Sequence, residues 1–471
     1  MTSTAVAAML GARSMALVGA SARPDSLGSR MIIEAQRGSA RFHLVNPRYD
    51  RIGDLPCVAS VADIAEPVDV VLLGVPDAVL SEQLAVAAAA GAKSAVLFGS
   101  AHGLRDEIAA VATDAGMALC GAGCMGFVNN ALGVRALGYL EPDPLPQGHI
   151  AMVTHSGSAF STLLRARRGF GFRLAVSSGQ ELVTDTADYV DYALDDPDTR
   201  LIALLLETPR SVPRLRQALL RAAEQNVPVV MLTVGGSPRG RAMVAAHSGA
   251  LAGEHAAWQA FCAATGAVHV SDMAEFTDTL ELFSAGRRSR GGGVATVHDS
   301  GAERALLADL AHELGVAFAE LADDTLATVG ALLDDGLAAT NPLDVWGTGA
   351  DTRNLFGSCL RAMADDRNVG ATALAVDLVT EFDGDTAYAD AMVDVAKVTD
   401  APLAVLASVP SAIDAPTAQR LRDNGIPVLE SFRSGLAALG HLVNWPPAID
   451  RPEGSTRTDR EIPESALELL A

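Results

Sequence analysis

His247 is the residue whose surroundings most strongly suggest chemistry. Ala246 and Ser248 flank it, and Gly249 and Gly253 punctuate the segment that follows. Such a histidine is not typical of a packed core, because small neighbours leave room for a tetrahedral group to approach the ring. A neutral imidazole nitrogen is also a good nucleophile near neutral pH. The pattern predicts a loop with a nucleophilic histidine; a loop histidine without a role is the alternative.

Glu207 is a second candidate, because it ends the apolar run LIALLLE at 201–207. A carboxylate at the end of a buried strand is unfavourable unless it has a partner. It could hold a histidine ring in one orientation and one tautomer. A solvated strand end is the alternative interpretation.

The segment from Thr154 to Ser158, THSGS, follows an apolar strand and opens a predicted helix. Small residues there leave backbone N–H groups free, and with the serine hydroxyls they predict an anion cradle. An ordinary capped helix start is the alternative. Four other histidines lack such flanking patterns and are assigned structural roles: His43, His102, His149 and His155.

Gly19, Ala20 and Ser21 lie at another strand-to-helix turn, but the later glycines of a G-x-G-x-x-G fingerprint are absent. The carboxyl ends of parallel strands are still where open α/β sheets bind ligands. The turn therefore indicates either a nucleotide-like ligand or a structural connection.

Short apolar strands alternate with helical stretches along most of the 471 residues, which predicts parallel, doubly wound sheets. Linkers at 141–150 and 287–293 divide this pattern. We predict three α/β domains and a polar tail, with the bounds 1–143, 148–288, 291–446 and 447–471.

The composition excludes several classes of function. With 35 basic and 57 acidic residues the net charge is −22, which argues against nucleic-acid binding. No apolar run reaches the roughly 18 residues of a membrane span, and the start lacks a basic region, so we expect a soluble cytoplasmic protein without membrane association. The five scattered cysteines predict neither a disulfide framework nor a metal site.

Taken together, these motifs resemble the NDP-forming acyl-CoA synthetases, the superfamily that includes the succinyl-CoA synthetase alpha subunit. The stretch 246–253, AHSGALAG, is close to the family's Ser-His-Thr-Gly-Ala-Leu-Ala-Gly, and 154–158 is similar to Ser-Gln-Ser-Gly-Ala. Further similarity lies at Cys124–Asn129, at Ile202–Glu207 and at Asn341–Asp344. The resemblance covers about residues 1–440.

The resemblance implies a Rossmann-like CoA-binding domain followed by two flavodoxin-like ligase domains. It assigns phosphorylation to His247 and ring orientation to Glu207. The residues implied to stabilise the phosphate are Ser156, Gly157, Ser158, Ser248 and Gly249. Those implied to bind CoA are Gly19, Ser21, Arg23, Ser26, Asn46, Pro47, Val75 and Pro76.

The resemblance also implies a reaction, in which a carboxylic acid, CoA and ATP give an acyl-CoA through an acyl phosphate and phospho-His247. The chain shows no nucleotide clamp like the family's ATP-grasp domain, so a beta-type ATP-grasp partner is expected to bind ATP and Mg²⁺ in a hetero-oligomer. Two alternatives are an inactive CoA- or acyl-CoA-binding regulatory protein and a dehydrogenase. Departures from the family pattern occur at 121–123 (GAG), His155, Gln180 and 298–301 (HDSG).

Overall fold

The computed structural model describes residues 3–248, 255–348 and 351–445, and for residues 246–248 it describes the backbone only. The chain forms two compact units. Unit 1 runs up to Ala166 and from Gly171 to His269, and unit 2 contains Arg167–Phe170 and the described residues from Val270 onward. Within the described part of the chain, no helix is long and apolar enough to cross a membrane.

The first sheet of unit 1 has the strand order of a Rossmann fold. Its strands are β1 (Ser14–Val18), β2 (Arg41–Val45), β3 (Arg51–Ile52), β4 (Leu55–Val58), β5 (Val70–Leu73), β6 (Ser94–Leu97) and β7 (Ala118–Gly121). The order β4-β2-β1-β5-β6-β7 is parallel, and β3 adds an antiparallel edge. Its helices are α1 (Ser3–Leu10), α2 (Leu27–Arg37), α3 (Asp77–Ala89) and α4 (Arg105–Asp114).

The second sheet of unit 1 has flavodoxin-like order. Its strands are β8 (Gly126–Asn129), β9 (Val134–Leu137), β10 (Gln147–Thr154), β11 (Phe172–Ser177), β12 (Leu201–Leu206), β13 (Val229–Thr233) and β14 (Val268–Val270). Its helices are α5 (Gly157–Leu164), α6 (Thr186–Leu194), α7 (Val212–Glu224), α8 (Pro238–Ser248) and α9 (His255–Thr265). The order is β14-β13-β12-β10-β11, and an antiparallel β8–β9 hairpin extends it beyond β11. This hairpin falls within the first domain expected from the sequence, yet it pairs in the second sheet.

Unit 2 contains one parallel sheet with flavodoxin-like strand order. Its strands are β15 (Gly293–His298), β16 (Leu343–Asp344), β17 (Val369–Ala375), β18 (Leu403–Leu406) and β19 (Val428–Leu429). Its helices are α10 (Met273–Ser284), α11 (Gly301–Leu314), α12 (Asp323–Gly330), α13 (Thr352–Ala364), α14 (Ala387–Ala396), α15 (Ala415–Asp423) and α16 (Phe432–Asn444). The parallel order β16-β15-β17-β18-β19 repeats the flavodoxin pattern. The expected fold class, parallel α/β sheets with Rossmann-like and flavodoxin-like order, is confirmed.

The strands form because their apolar runs are buried on both faces, as parallel strands covered by helices require. β5, β6 and β12 are buried at every position. Serine and aspartate side chains cap the following helices, for example Ser26 at α2 and Asp185 at α6. Because parallel strands all end at the same edge, the turns that follow them place polar groups together in each sheet.

Candidate functional site

All eight residues that the resemblance assigned to CoA line one cavity of about 620 Å³. The cavity lies at the carboxyl edge of the first sheet, where the turns after β1, β2 and β5 meet. Gly19 and Ser21 come from the first turn, Asn46 and Pro47 from the second, and Val75 from the third. The structure therefore brings these sequence-predicted residues together in one place.

Backbone geometry explains why glycine occupies position 19 in this cavity. Gly19 has a φ of +89°, and a Cβ there would lie 2.3 Å from the carbonyl oxygen of Gly74. Side-chain hydrogen bonds then fix the turns: the Ser26 Oγ accepts from the Ser29 amide at 3.1 Å, and the Asn46 Nδ2 donates to the Ala20 carbonyl at 2.8 Å. The site is thus formed by turns that side-chain hydrogen bonds hold in place.

Among the lining residues that were not predicted from the sequence are the exposed Arg48 and the half-buried Tyr49. They follow directly after Asn46 and Pro47. With Arg23 they give this cavity two guanidinium groups and an aromatic ring, and no carboxylate is among its lining residues. In a chain with a net charge of −22, that local excess of positive charge favours an anionic ligand. The sequence did contain a signal for this charge, because Arg48 directly follows Asn46 and Pro47, which were predicted to bind a ligand.

The cradle expected at Ser156, Gly157 and Ser158 is the start of α5. The Ser156 Oγ accepts from the Ala159 amide at 3.2 Å, and the first turn of this helix contains no acidic residue. A Cβ at Gly157 would lie 2.8 Å from the Cγ of Met125, so a small residue is required there. The positive end of the helix dipole and its free N–H groups suit an anion.

Glu207 follows β12 and is half-buried. Because β10 and β12 are paired parallel neighbours, Glu207 lies on the turn next to the cradle. Its backbone N–H donates to Nδ1 of His155 at 3.0 Å. Thus Glu207 and the phosphate cradle, which were predicted independently, lie on adjacent turns of the same sheet edge.

The sequence reading missed the environment of His155. His155 is 8% exposed, and its Nε2 lies 3.1 Å from Oε1 of Glu181. Burial alone would raise the pKa of the Glu181 carboxyl, but the His155 ring and hydrogen bonds from Thr186 and Ser178 hold that pKa below its ordinary value. No local pattern marks this pair, because 26 residues separate the two side chains along the chain.

His247 was expected in a loop, but its backbone lies in the last turn of α8, which runs to Ser248. The stretch of Ala and Met residues before it favours a helix, and that preference prevails over the small-residue pattern. The side chains of His247 and Ser248, and the whole of Gly249, lie outside the described residues. α8 follows β13, which pairs with β12, so it begins beside the Glu207 turn.

Gln180 and the stretch 121–123, which depart from the family pattern, have specific contacts or backbone conformations. The Gln180 amide donates to the Ala122 carbonyl at 2.9 Å, and its side-chain Nε2 donates to the Ser100 carbonyl at 3.2 Å. Gln180 therefore ties the second sheet's edge to turns of the first sheet, both within unit 1. Gly121 and Gly123 have φ values of +112° and +66°, which explains their residue type.

The carboxyl edge of the unit 2 sheet has the opposite charge. Asp299 follows β15, and Asp377 lies two residues after β17. Burial, together with the charges of Asp377 and Asp344, raises the pKa of Asp299. Asp377 also faces Glu303 across the Ser408 hydroxyl, which lies within 3.4 Å of both carboxylates. This edge is therefore unsuited to phosphate. Among the described residues, no group of three or more His, Cys, Asp or Glu could hold a metal ion.

Two protein families match this chain. Residues 13–130 match the family described as CoA binding domain, and residues 147–283 match the one described as Succinyl-CoA ligase like flavodoxin domain. The first match covers every residue that lines the cationic cavity. The second contains the cradle, Glu207 and α8.

Curated relatives have related names. The chain is 28% identical over 392 residues to a trans-feruloyl-CoA synthase from an unknown prokaryotic organism, covering 78% of this chain and 54% of that protein. It is 25% identical over 449 residues to the alpha subunit of the ADP-forming acetate–CoA ligase II of Pyrococcus furiosus, covering 92% of this chain and 96% of that one. The chain spans about half the length of the curated relatives it matches first.

A solved structure shares the fold. It is the dinucleotide-forming acetyl-coenzyme A synthetase 1 of Ca. Korarchaeum cryptofilum, in complex with phosphate and ADP. The TM-score is 0.83 at 20% sequence identity, and the match covers 93% of this chain and 96% of that one. At this identity the likeness establishes the fold alone.

Proposed function

We propose that the chain is a member of the NDP-forming acyl-CoA synthetases and is the CoA-binding and phosphohistidine part of an acid–thiol ligase. The reaction joins a carboxylic acid to CoA and converts ATP to ADP and phosphate. The observation that carries the proposal is the placement of Glu207 and the Ser156–Ser158 cradle on adjacent turns of one sheet edge. The two elements would serve a single phosphoryl group.

CoA would occupy the cavity of the first sheet. Its pyrophosphate and ribose phosphate are anionic, and Arg23 and Arg48 are the charged groups that line the cavity. Tyr49 offers an aromatic face for the adenine. Backbone N–H groups at the start of α2 add further donors, and Ser26 caps that helix.

His247 would carry the phosphoryl group between ATP and the acid. An imidazole nitrogen attacks the γ-phosphorus, the N–P bond forms, and ADP leaves with the bonding electrons. The acid's carboxylate oxygen then attacks the same phosphorus and regenerates the imidazole, giving an acyl phosphate. The thiol sulfur of CoA finally attacks the acyl carbon and releases phosphate. The cradle N–H groups would neutralise the charge on the phosphoryl oxygens, and Glu207 would orient the ring.

A partner chain with an ATP-grasp fold would complete the enzyme. Two relatives that match over more than nine-tenths of this chain are named as alpha subunits. We propose a hetero-oligomer in which that partner binds ATP, with Mg²⁺ supplying positive charge to its phosphates. A cytoplasmic location, expected from the sequence, belongs to the same proposal.

Calorimetry on this chain alone tests the division of labour. CoA should bind, because this chain alone forms the cationic cavity. ATP should not bind, because the proposal assigns the ATP site to the partner chain. Arg48→Ala should weaken CoA binding by about tenfold, the effect of losing one charge-assisted hydrogen bond. Arg51→Ala is the matched control: it removes an exposed arginine three residues away that does not line the cavity. Tight ATP binding by this chain would contradict the proposal.

Activity requires the partner. Co-expression with an ATP-grasp chain, followed by a screen of carboxylic acids for CoA-dependent ADP release, should identify the acid. If CoA binds but no acid or partner supports ADP release, the alternative of a CoA-binding regulatory protein is favoured instead.

A further inference from the structure

The turn that carries Glu207 is held by a side chain from the neighbouring turn. The backbone N–H of Glu207 donates to the ring Nδ1 of His155 at 3.0 Å, and the backbone N–H of His155 donates to the Leu205 carbonyl at 3.0 Å. The next residue, Ser156, caps α5 and begins the cradle. One residue therefore connects both halves of the proposed phosphoryl site.

The hydrogen bond to Glu207 fixes the state of the ring. A backbone N–H can only donate, so Nδ1 must present its lone pair and the ring proton must lie on Nε2. That atom lies 3.1 Å from Oε1 of Glu181, whose side chain is buried. Thr186 Oγ1 donates to the same carboxylate oxygen at 2.6 Å.

Burial keeps this arrangement intact. His155 is 8% exposed and Glu181 is 4% exposed, so water does not compete freely for either. Glu181 has a φ of +51°, a conformation that a non-glycine residue adopts only when its surroundings hold it. The turns after β10, β11 and β12 are thus joined through one imidazole ring.

We propose that His155 is a positioning residue for phosphoryl transfer: with Nδ1 accepting from the Glu207 backbone N–H and Nε2 beside Glu181, it fixes the Glu207 turn against the Ser156–Ser158 cradle. It acts through Glu207 and does not touch the phosphoryl group. This inference rests on the proposed function, because it assigns His155 to the site of His247 phosphorylation.

Two substitutions at His155 distinguish the roles of its two ring nitrogens. The Oδ1 of His155→Asn can occupy the place of Nδ1 and accept from Glu207, while the contact with Glu181 is lost. The amide of His155→Gln reaches the place of Nε2 and leaves the Glu207 N–H without its acceptor. The matched control is His149→Gln, at an exposed position on β10, the strand that His155 follows.

The assay uses radiolabelled acetyl phosphate as phosphoryl donor to this chain. The His247 nitrogen attacks phosphorus, the bond from phosphorus to the acetate oxygen breaks, and acetate leaves. We expect His155→Asn to slow labelling by about threefold. His155→Gln should slow it about tenfold to hundredfold, with the donor concentration for half-maximal rate unchanged, because misplacement by about 1 Å has effects of this size.

A double-mutant cycle gives the decisive readout. If His155 acts through Glu207, His155→Gln should add no further loss to Glu207→Gln. Losses that multiply, or faster labelling in His155→Gln than in His155→Asn, would overturn the inference. Nitrogen NMR of labelled histidine should also show Nδ1 unprotonated, and a protonated Nδ1 would overturn it without any activity measurement. Absence of labelling in the unsubstituted protein would instead count against the proposed function.

Discussion

The start of α2 packs directly against the turn after β1, because Gly28 approaches the carbonyl oxygen of Gly19. A Cβ at residue 28 would lie 2.2 Å from that oxygen and 2.8 Å from the Ser21 amide nitrogen. Neither neighbour is a flexible side chain, so any larger residue must displace the backbone. Since both turns line the cationic cavity, its shape depends on this contact.

Gly28→Ala should therefore damage CoA binding selectively. We expect the dissociation constant for CoA to rise at least tenfold, about 1.4 kcal/mol, because the helix start moves away from the ligand's phosphates. Calorimetry measures this directly. Gly357→Ala in α13 is the control, since the nearest atom to its Cβ would be at an ordinary 3.8 Å. A Gly28→Ala chain that binds CoA as well as the parent would refute this view of the cavity.

Glu207→Gln should fold normally and become phosphorylated slowly. The change preserves shape and the backbone hydrogen bond to His155, but removes the charge that would steady an imidazolium. We expect labelling of His247 to slow by about 10²–10⁴-fold if Glu207 acts as an orienting carboxylate. Thermal unfolding should be nearly unchanged. Labelling at the parent rate would show that Glu207 is only the end of a strand.

His298 should make the stability of unit 2 depend on pH. Burial, with a smaller effect from Arg304, lowers its pKa to about 4, against about 6.5 in an unfolded chain. Because only the unfolded chain binds this proton between these values, the free energy of unfolding should fall as pH drops from about 6.5 to 4. The full effect is about 3 kcal/mol.

Urea unfolding at several pH values checks this, with His298→Gln as the comparison. Carboxyl groups titrate in the same range and affect both proteins, so the difference between the two slopes isolates His298. Glutamine can still reach the Thr296 hydroxyl, which lies 2.9 Å from Nε2 of His298. Parallel pH profiles for the two proteins would show that His298 does not titrate in this way.

The sequence was informative wherever a signal is local. Apolar runs such as Leu201–Leu206 and Leu403–Leu406 predicted buried strands. Gly19 and Asn46 indicated turns, and these turns meet in one cavity. The sequence carried no signal where the structure depends on contacts between residues that lie far apart along the chain. The hairpin from 126 to 137 consists of four-residue strands and joins the second sheet only through β11. The pairing of His155 with Glu181 arises in the same way, from the adjacency of two turns.

Phosphorylation of His247 is the central claim, and one labelling experiment tests it most directly. The chain is incubated with its ATP-grasp partner and γ-labelled ATP, then treated with acid or alkali. We expect label that survives alkali, is lost in acid, and is absent from His247→Ala. Label that persists in His247→Ala, or that is stable in acid, would contradict it.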